Sequence, residues 1–251
     1  MAFDVNNFVI DRIIRGVALS QEDDSVLFSI NQIQNASLNC ASESTDAVDA
    51  MGTPIATFYR AKSAEFSAEN ALFDMNLMAT QLGTTKKVAS ASSKILVPAM
   101  ETFTATGSAY TLKHTPKTVP TEIYALNGDS TFGTKYVKAT AASETAFAID
   151  GKNVSLPTKL EPNTEMFVMY EYETENAVEV MNSAKNFPVG CKFVMEVLGC
   201  DVCDQTNLVY AYVIFNNAKL SPDMDWSIAT DGTHPFSMKA QQDLKSRSLA
   251  A

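Results

Sequence analysis

The chain has 251 residues, 46% hydrophobic and 19% charged, with a formal net charge of −10 and a pI near 4.7. That is enough apolar material for one large domain or two modest ones. The acidity excludes a conventional DNA-binding face, which needs clustered Lys and Arg, and no apolar run reaches the roughly 18 residues of a membrane helix.

The N-terminus, MAFDVNNFVIDRIIRG, lacks a basic stretch followed by a leucine-rich core. No secretory signal is expected, and the protein is read as made in a cytoplasm. Residues 4–15 read as a short helix or strand anchored by Phe8, Ile10, Ile13 and Ile14, with Gly16 ending it. Residues 21–25 form an acidic turn. Val26, Phe28 and Ile30 alternate as a strand, and Ile33 and Leu38 suggest a second one past a bend. Residues 40–52 are polar, acidic and small, and read as a surface loop or hairpin tip.

Gly52–Gly83 is the organising stretch. Ile55, Thr57 and Tyr59 fall on one side of an extended segment and Ala56, Phe58 and Arg60 on the other, with Phe66 and Ala68 continuing the second parity. The period then changes. Leu72, Met75, Ala79 and Leu82 recur at helical spacing, predicting a helix over 71–82 with Asn70 as N-cap and Gly83 as the stop. Residues 94–98 make a short strand.

From about Glu101, short alternating runs arrive between turn signals: 102–112, 122–126, 134–140, 146–149 with Asp150-Gly151 before 153–157, and 165–173. In the last of these Met166, Val168, Tyr170 and Tyr172 share one face. This region reads as a small β-sandwich or barrel without helix. Residues 191–199 alternate again, 207–215 read as a buried strand, Asp231-Gly232-Thr233 as a turn, and 235–240 as a last strand before a polar tail. The arrangement predicted is mainly β with one short α-helix (α+β). A β core from 1–100 and 182–251 carries an inserted β-sandwich domain, 101–181.

No motif for chemistry emerges. His114 and His234 each sit in a turn next to proline and have no partner histidine. Cys200-Asp-Val-Cys203 lacks the further ligands of a zinc site and the helical context of a redox motif. Reduced thiols at a turn are the simpler reading. Glu171, Glu173 and Glu175 form a solvated face. No P-loop, GxGxxG, GxSxG or HExxH is present. No catalytic residue, metal or cofactor is assigned, and nothing argues for an enzyme.

Three stretches carry a family resemblance: Asp49-Ala50-Met51-Gly52-Thr53-Pro54-Ile55, Phe66-Ser67-Ala68-Glu69-Asn70-Ala71-Leu72, and the short helix ending at Gly83. They resemble bacteriophage tail tube (major tail) proteins, in which an Asp-x-x-Gly turn precedes a long strand followed by one helix on a β-sandwich. Tyr170-Glu171-Tyr172, 211–220 and 232–236 are similar to stretches of larger phage structural proteins. The resemblance implies stacked six-membered rings forming a hollow tube, a structural component of the virion tail made in the host cytoplasm. Tail sheath, baseplate and terminator proteins are its implied partners. Double-stranded DNA passes through without specific binding.

On this reading Glu65 and Glu69 line the lumen, with Arg60 and Lys62 working against a uniformly negative wall. Ser42, Glu43, Asp46 and Asp49 reach the next ring from the 40–52 loop. Ile55, Thr57, Tyr59 and Phe66 lie on a strand completed by a neighbouring subunit. The rival readings are a β-sandwich binding or decoration module on a virion or cell surface, and an enzyme using the CxxC.

Overall fold

The computed structural model describes residues 8–202, 204–230, 232–243 and 248–249. The chain divides into two compact units, one of residues 1–86 and 180–251 and the other of 87–179. The first unit opens with β1 (Phe8–Ser20), β2 (Val26–Ile30), β3 (Ile33–Val48), β4 (Pro54–Asn70) and the helix α1 (Met75–Gln81). The second holds β5 (Lys87–Val88), β6 (Ile95–Thr104), β7 (Ala109–Thr111), β8 (Glu122–Leu126), β9 (Phe132–Lys138), β10 (Ala146–Asp150), β11 (Asn153–Ser155), β12 (Glu165–Thr174) and β13 (Val178–Glu179). The chain then returns to the first unit with β14 (Gly190–Asp201), β15 (Asp204–Leu220), β16 (His234–Ala240), β17 (Gln242–Asp243) and β18 (Ser248–Leu249).

In the first unit a seven-stranded sheet runs β2-β1-β14-β15-β16-β4-β3. Its inner face packs Phe28, Phe66, Phe193, Phe215 and Phe236 around Leu77 of α1. The sheet rolls strongly. A Cβ placed on Gly16 of β1 would lie 2.7 Å from the Phe193 ring and 2.9 Å from Ile33 of β3, which is five strands away in the strand order. Gly16 therefore does not end a segment, as the sequence reading had it. It lies inside β1, which is strand throughout its described length, and is small because the sheet closes over it.

The helix is shorter than predicted. Asn70 is the last residue of β4, where its side chain accepts from Gln32 N–H and donates to Leu72 C=O. Asp74 is the N-cap: its Oδ1 accepts from Asn76 N–H at 2.9 Å and Leu77 N–H at 2.7 Å. Gly83 follows the last turn at φ +63, and Gly83 N–H bonds back to Thr80 C=O.

The second unit is a sandwich of strand order β6-β12-β8-β9-β10-β11-β7. β10 joins its layers, pairing parallel with β9 through Ala146 and Phe147, then antiparallel with β11 through Ala148 to Asp150. Met166, Val168 and Tyr170 of β12 point into the core with Ile123, Phe147 and Leu156, the face that the alternation in 165–173 indicated.

Candidate assembly interface

β3 and β4 form one antiparallel ladder from Ile33↔Asn70 to Val48↔Pro54. The turn joining them is built by Asp49. Its carboxylate accepts from Met51 N–H and Thr53 N–H, each at 2.8 Å, and Gly52 supplies φ +84. These donors hold the Asp49 carboxyl below the usual carboxylate range. The 40–52 segment is therefore not a loop up to this point. Ser42, Glu43 and Asp46 stand on β3, and only Asp49 belongs to the tip. Small Ser, Thr and Ala obscured the strand because neither of its faces meets a core.

The ladder has two regimes. From Ala64 to Asn70 alternate residues of β4 are buried; from Pro54 to Ser63 every residue is exposed, and so is all of β3 beyond Gln34–Asn35. Residues 41–63 thus form a two-stranded arm with solvent on both faces. Its exposed apolar residues are Val48, Met51, Ile55, Phe58 and Tyr59. An unsupported two-stranded ribbon is marginal in water, and a patch of this kind marks an interaction surface.

A bulge sets the facing of the arm. Lys62 pairs with Ser42 and Tyr59 with Ser44, so two residues of β4, Arg60 and Ala61, oppose Glu43 alone. The parity of β4 changes there. Tyr59 and Thr57 share the side of Ala64 and Phe66, whereas Phe58 shares the side of Glu65, which corrects the simple alternation read from the sequence. Thr57 Oγ1 donates to Asp46 Oδ1 at 2.7 Å, a cross-strand contact that pins the register of the outer arm.

The remaining expected site residues separate. Ile55, at 72% exposure, and Tyr59, at 73%, are on the arm with Thr57. Phe66, at 1%, is inside its own core, with ring centroids 5.7, 5.9 and 6.0 Å from Phe193, Phe215 and Phe236. It is not on the part of β4 open to a neighbour. Glu65 and Glu69 point away from that core at the base of the arm. Glu65 lies 3.9 Å from Lys239 Nζ, and Glu69 accepts from Asn35 Nδ2 at 3.3 Å and Thr233 Oγ1 at 3.1 Å.

The buried polar groups elsewhere are structural in their geometry. Glu101, 3% exposed in the second unit, accepts from the Tyr170 and Tyr110 hydroxyls and from Lys113 N–H. Burial, then the bond to Glu101, pushes both tyrosine hydroxyls up. His234 is buried, stacks on Phe73 and meets Gln81 Oε1 through Nε2 at 2.8 Å. Burial raises the Cys191 thiol to about 11, making it unreactive. Cys200 is half-buried on β14, while Cys203 lies outside the described residues, as does Asp231 of the predicted turn. Among the described residues no group of three or more His, Cys, Asp or Glu could hold a metal, and no helix is long and apolar enough to cross a membrane.

No curated protein matches this chain. The family model described as the YomU/Tube protein family matches residues 8–248, which includes the arm and both units. An Asp-x-x-Gly turn, a long strand and one short helix after it are the features that resemble such a family. The chain belongs to the YomU/Tube protein family, a family of phage tail tube proteins, and is a structural component of the virion.

Proposed function

We propose that the protein assembles into stacked rings of six that form the hollow tail tube through which the genome passes. The observation that carries this reading is the arm, residues 41–63, which is solvated on both faces and has no core of its own. A second copy supplies the missing layer. Within one subunit the cost of ordering such a ribbon is not offset by burial.

Charge supports passage of DNA rather than its capture. Six copies at −10 each carry a formal −60, which repels phosphate from a wall that shares in it. Glu69 is the stronger contributor to such a wall, because Glu65 has Lys239 beside it. Asp49 and the exposed Met51 at the tip are the groups placed to reach an adjoining ring. Sheath, baseplate and terminator proteins are the partners that a tube of this kind requires at its surface and ends.

The test is to shorten the arm at a paired position. Ser44 and Tyr59 face each other across the ladder, so residues 44–59 are replaced by an Asn-Gly turn. The shortened protein should remain a folded monomer and give no rods by negative-stain electron microscopy, where the unaltered protein gives hollow ones. Rods of normal length from the shortened protein would refute the assignment.

An accessory binding role for the second unit is favoured by one observation. Tyr124, Phe132 and Phe167 cluster on the outer face of its sheet, with the Phe132 ring 5.1 Å from each of the others. Exposed Met100 and Met169 lie opposite each other on the same face.

A further inference from the structure

One end of the second unit gathers polar side chains that neither the arm nor the sandwich core uses. Lys94 enters β6 there, His114 follows β7, Lys152 sits in the β10–β11 turn, and Tyr172 and Glu173 lie near the end of β12, with Glu175 just beyond it. They line a surface cavity of about 350 Å³, within the size range of small-molecule sites.

The walls of this cavity are held from the core. Buried Glu101 accepts from Lys113 N–H at 3.0 Å and from the Tyr170 hydroxyl, whose oxygen accepts in turn from His114 N–H at 3.0 Å. Lys152 Nζ donates to Lys113 C=O at 3.0 Å, and Leu112 N–H donates to Lys152 C=O at 2.9 Å. The loop carrying His114 is therefore fixed in advance, and little ordering remains to oppose binding. The exposed His114 ring lies flat on half-buried Tyr172, with centroids 3.8 Å apart and planes within 6°. An aromatic wall thus stands in an otherwise polar cavity.

We propose that this cavity binds an uncharged saccharide. Charge, hydrogen bonding and shape select that chemistry together. The lining carries two lysines, Lys94 and Lys152, and two glutamates, Glu173 and Glu175. Their formal charges cancel, so the site has no excess of one sign to draw in an anion or a cation. Lys94 meets Glu175 at 3.2 Å, and Glu173 meets Lys117 at 3.0 Å. Exposed pairs of this kind are weak, and they set donors beside acceptors. A sugar hydroxyl both donates and accepts, so it suits such a mixed rim; a phosphate or carboxylate only accepts. The aromatic stack meets the C–H face of a pyranose, whose partial positive charge is complementary to the face of an aromatic ring. The site shares no residue with the arm, so it stands or falls apart from the tube reading.

The test uses the full chain. Saturation-transfer NMR is run with neutral oligosaccharides of glucose, galactose, mannose and N-acetylglucosamine, and with oligomers of galacturonic acid. At least one neutral oligosaccharide should bind, and galacturonate oligomers should not displace it. By isothermal titration, His114→Ala should weaken that binding about tenfold, while His114→Phe, which keeps a flat ring, should retain it. Phe132→Ala, on the outer face of the same sandwich, should leave binding unchanged. No binding of any neutral oligosaccharide overturns the proposal, as does binding of galacturonate alone. Unweakened binding by His114→Ala, or loss of binding in folded Phe132→Ala, places the ligand elsewhere and overturns it too. Rods should form from His114→Ala as from the unaltered protein, whichever way the sugar result falls.

Discussion

The two halves of β4 share one backbone ladder with β3 and differ in almost everything else. Over Ala64–Asn70 alternate side chains are buried and β16 pairs on the second side; over Pro54–Ser63 all are exposed and, among the described residues, no strand pairs on that side. The difference shows that strand and core are separate properties. Hydrogen bonding to β3 makes both halves strands, but only the half whose alternate side chains enter the core with Leu77 of α1 is stabilised within the subunit.

The sharpest way to break this comparison is to truncate an aromatic in each half. Phe66→Ala, in the buried half, should cost about 3–5 kcal/mol in urea unfolding, because it empties the centre of the aromatic cluster. Gly16→Val comes next. Its Cβ would meet the Phe193 ring at 2.7 Å, so overpacking should cost about 1–3 kcal/mol. Asp74→Ala removes the cap of the helix that roofs the buried half, with an expected loss of about 1 kcal/mol by the same measurement.

Protonation distinguishes the halves without mutation at either. Burial lowers the His234 pKa below its ordinary value, opposed only in part by Asp74. The unfolded chain therefore binds the proton more readily. The contribution of neutral His234 is complete above the unfolded pKa, about 6.5, and is lost as pH falls below it toward the folded value. Thermal melts should show the melting temperature falling from about pH 7 to pH 5, and His234→Phe should flatten that fall. The arm contains no histidine, so rod formation by still-folded protein should not follow the same profile. The smallest stability effect belongs to Tyr59→Ala: within about 0.5 kcal/mol of wild type in unfolding, but with rods lost in electron micrographs. A large loss of monomer stability would show that the arm is already supported by its own subunit.

Much of the β content was legible because one face of each strand meets a core. The alternation of Met166, Val168 and Tyr170, and of Phe193, Met195 and Val197, reports that directly. Residues 40–52 were read as a surface loop or hairpin tip, and only their end is the tip, because Ser, Ala, Thr and Asp in 40–48 show no alternation across a ribbon that is wet on both sides. NLVYAYVIF was read as buried because its composition is apolar, yet Leu208, Tyr210, Tyr212 and Ile214 face solvent. Composition records what a strand is suited to meet, not whether the same chain provides it. The N-cap fell on Asp74 rather than Asn70 because the ladder with Ile33 and His234 holds Asn70 in the sheet.

The sequence by itself determined a mainly β protein with one short helix, the Asp49 turn, the Gly83 stop and the resemblance to tube proteins, since each depends on residues close together in the chain. Only the tertiary structure decided that β4 emerges from its core at Ser63, that a bulge opposite Glu43 turns Tyr59 onto the side of Phe66, and that β15 runs past the end of β16. These depend on where strands distant in sequence begin and stop pairing. No local periodicity encodes that, because backbone hydrogen bonds are indifferent to the side chains they carry.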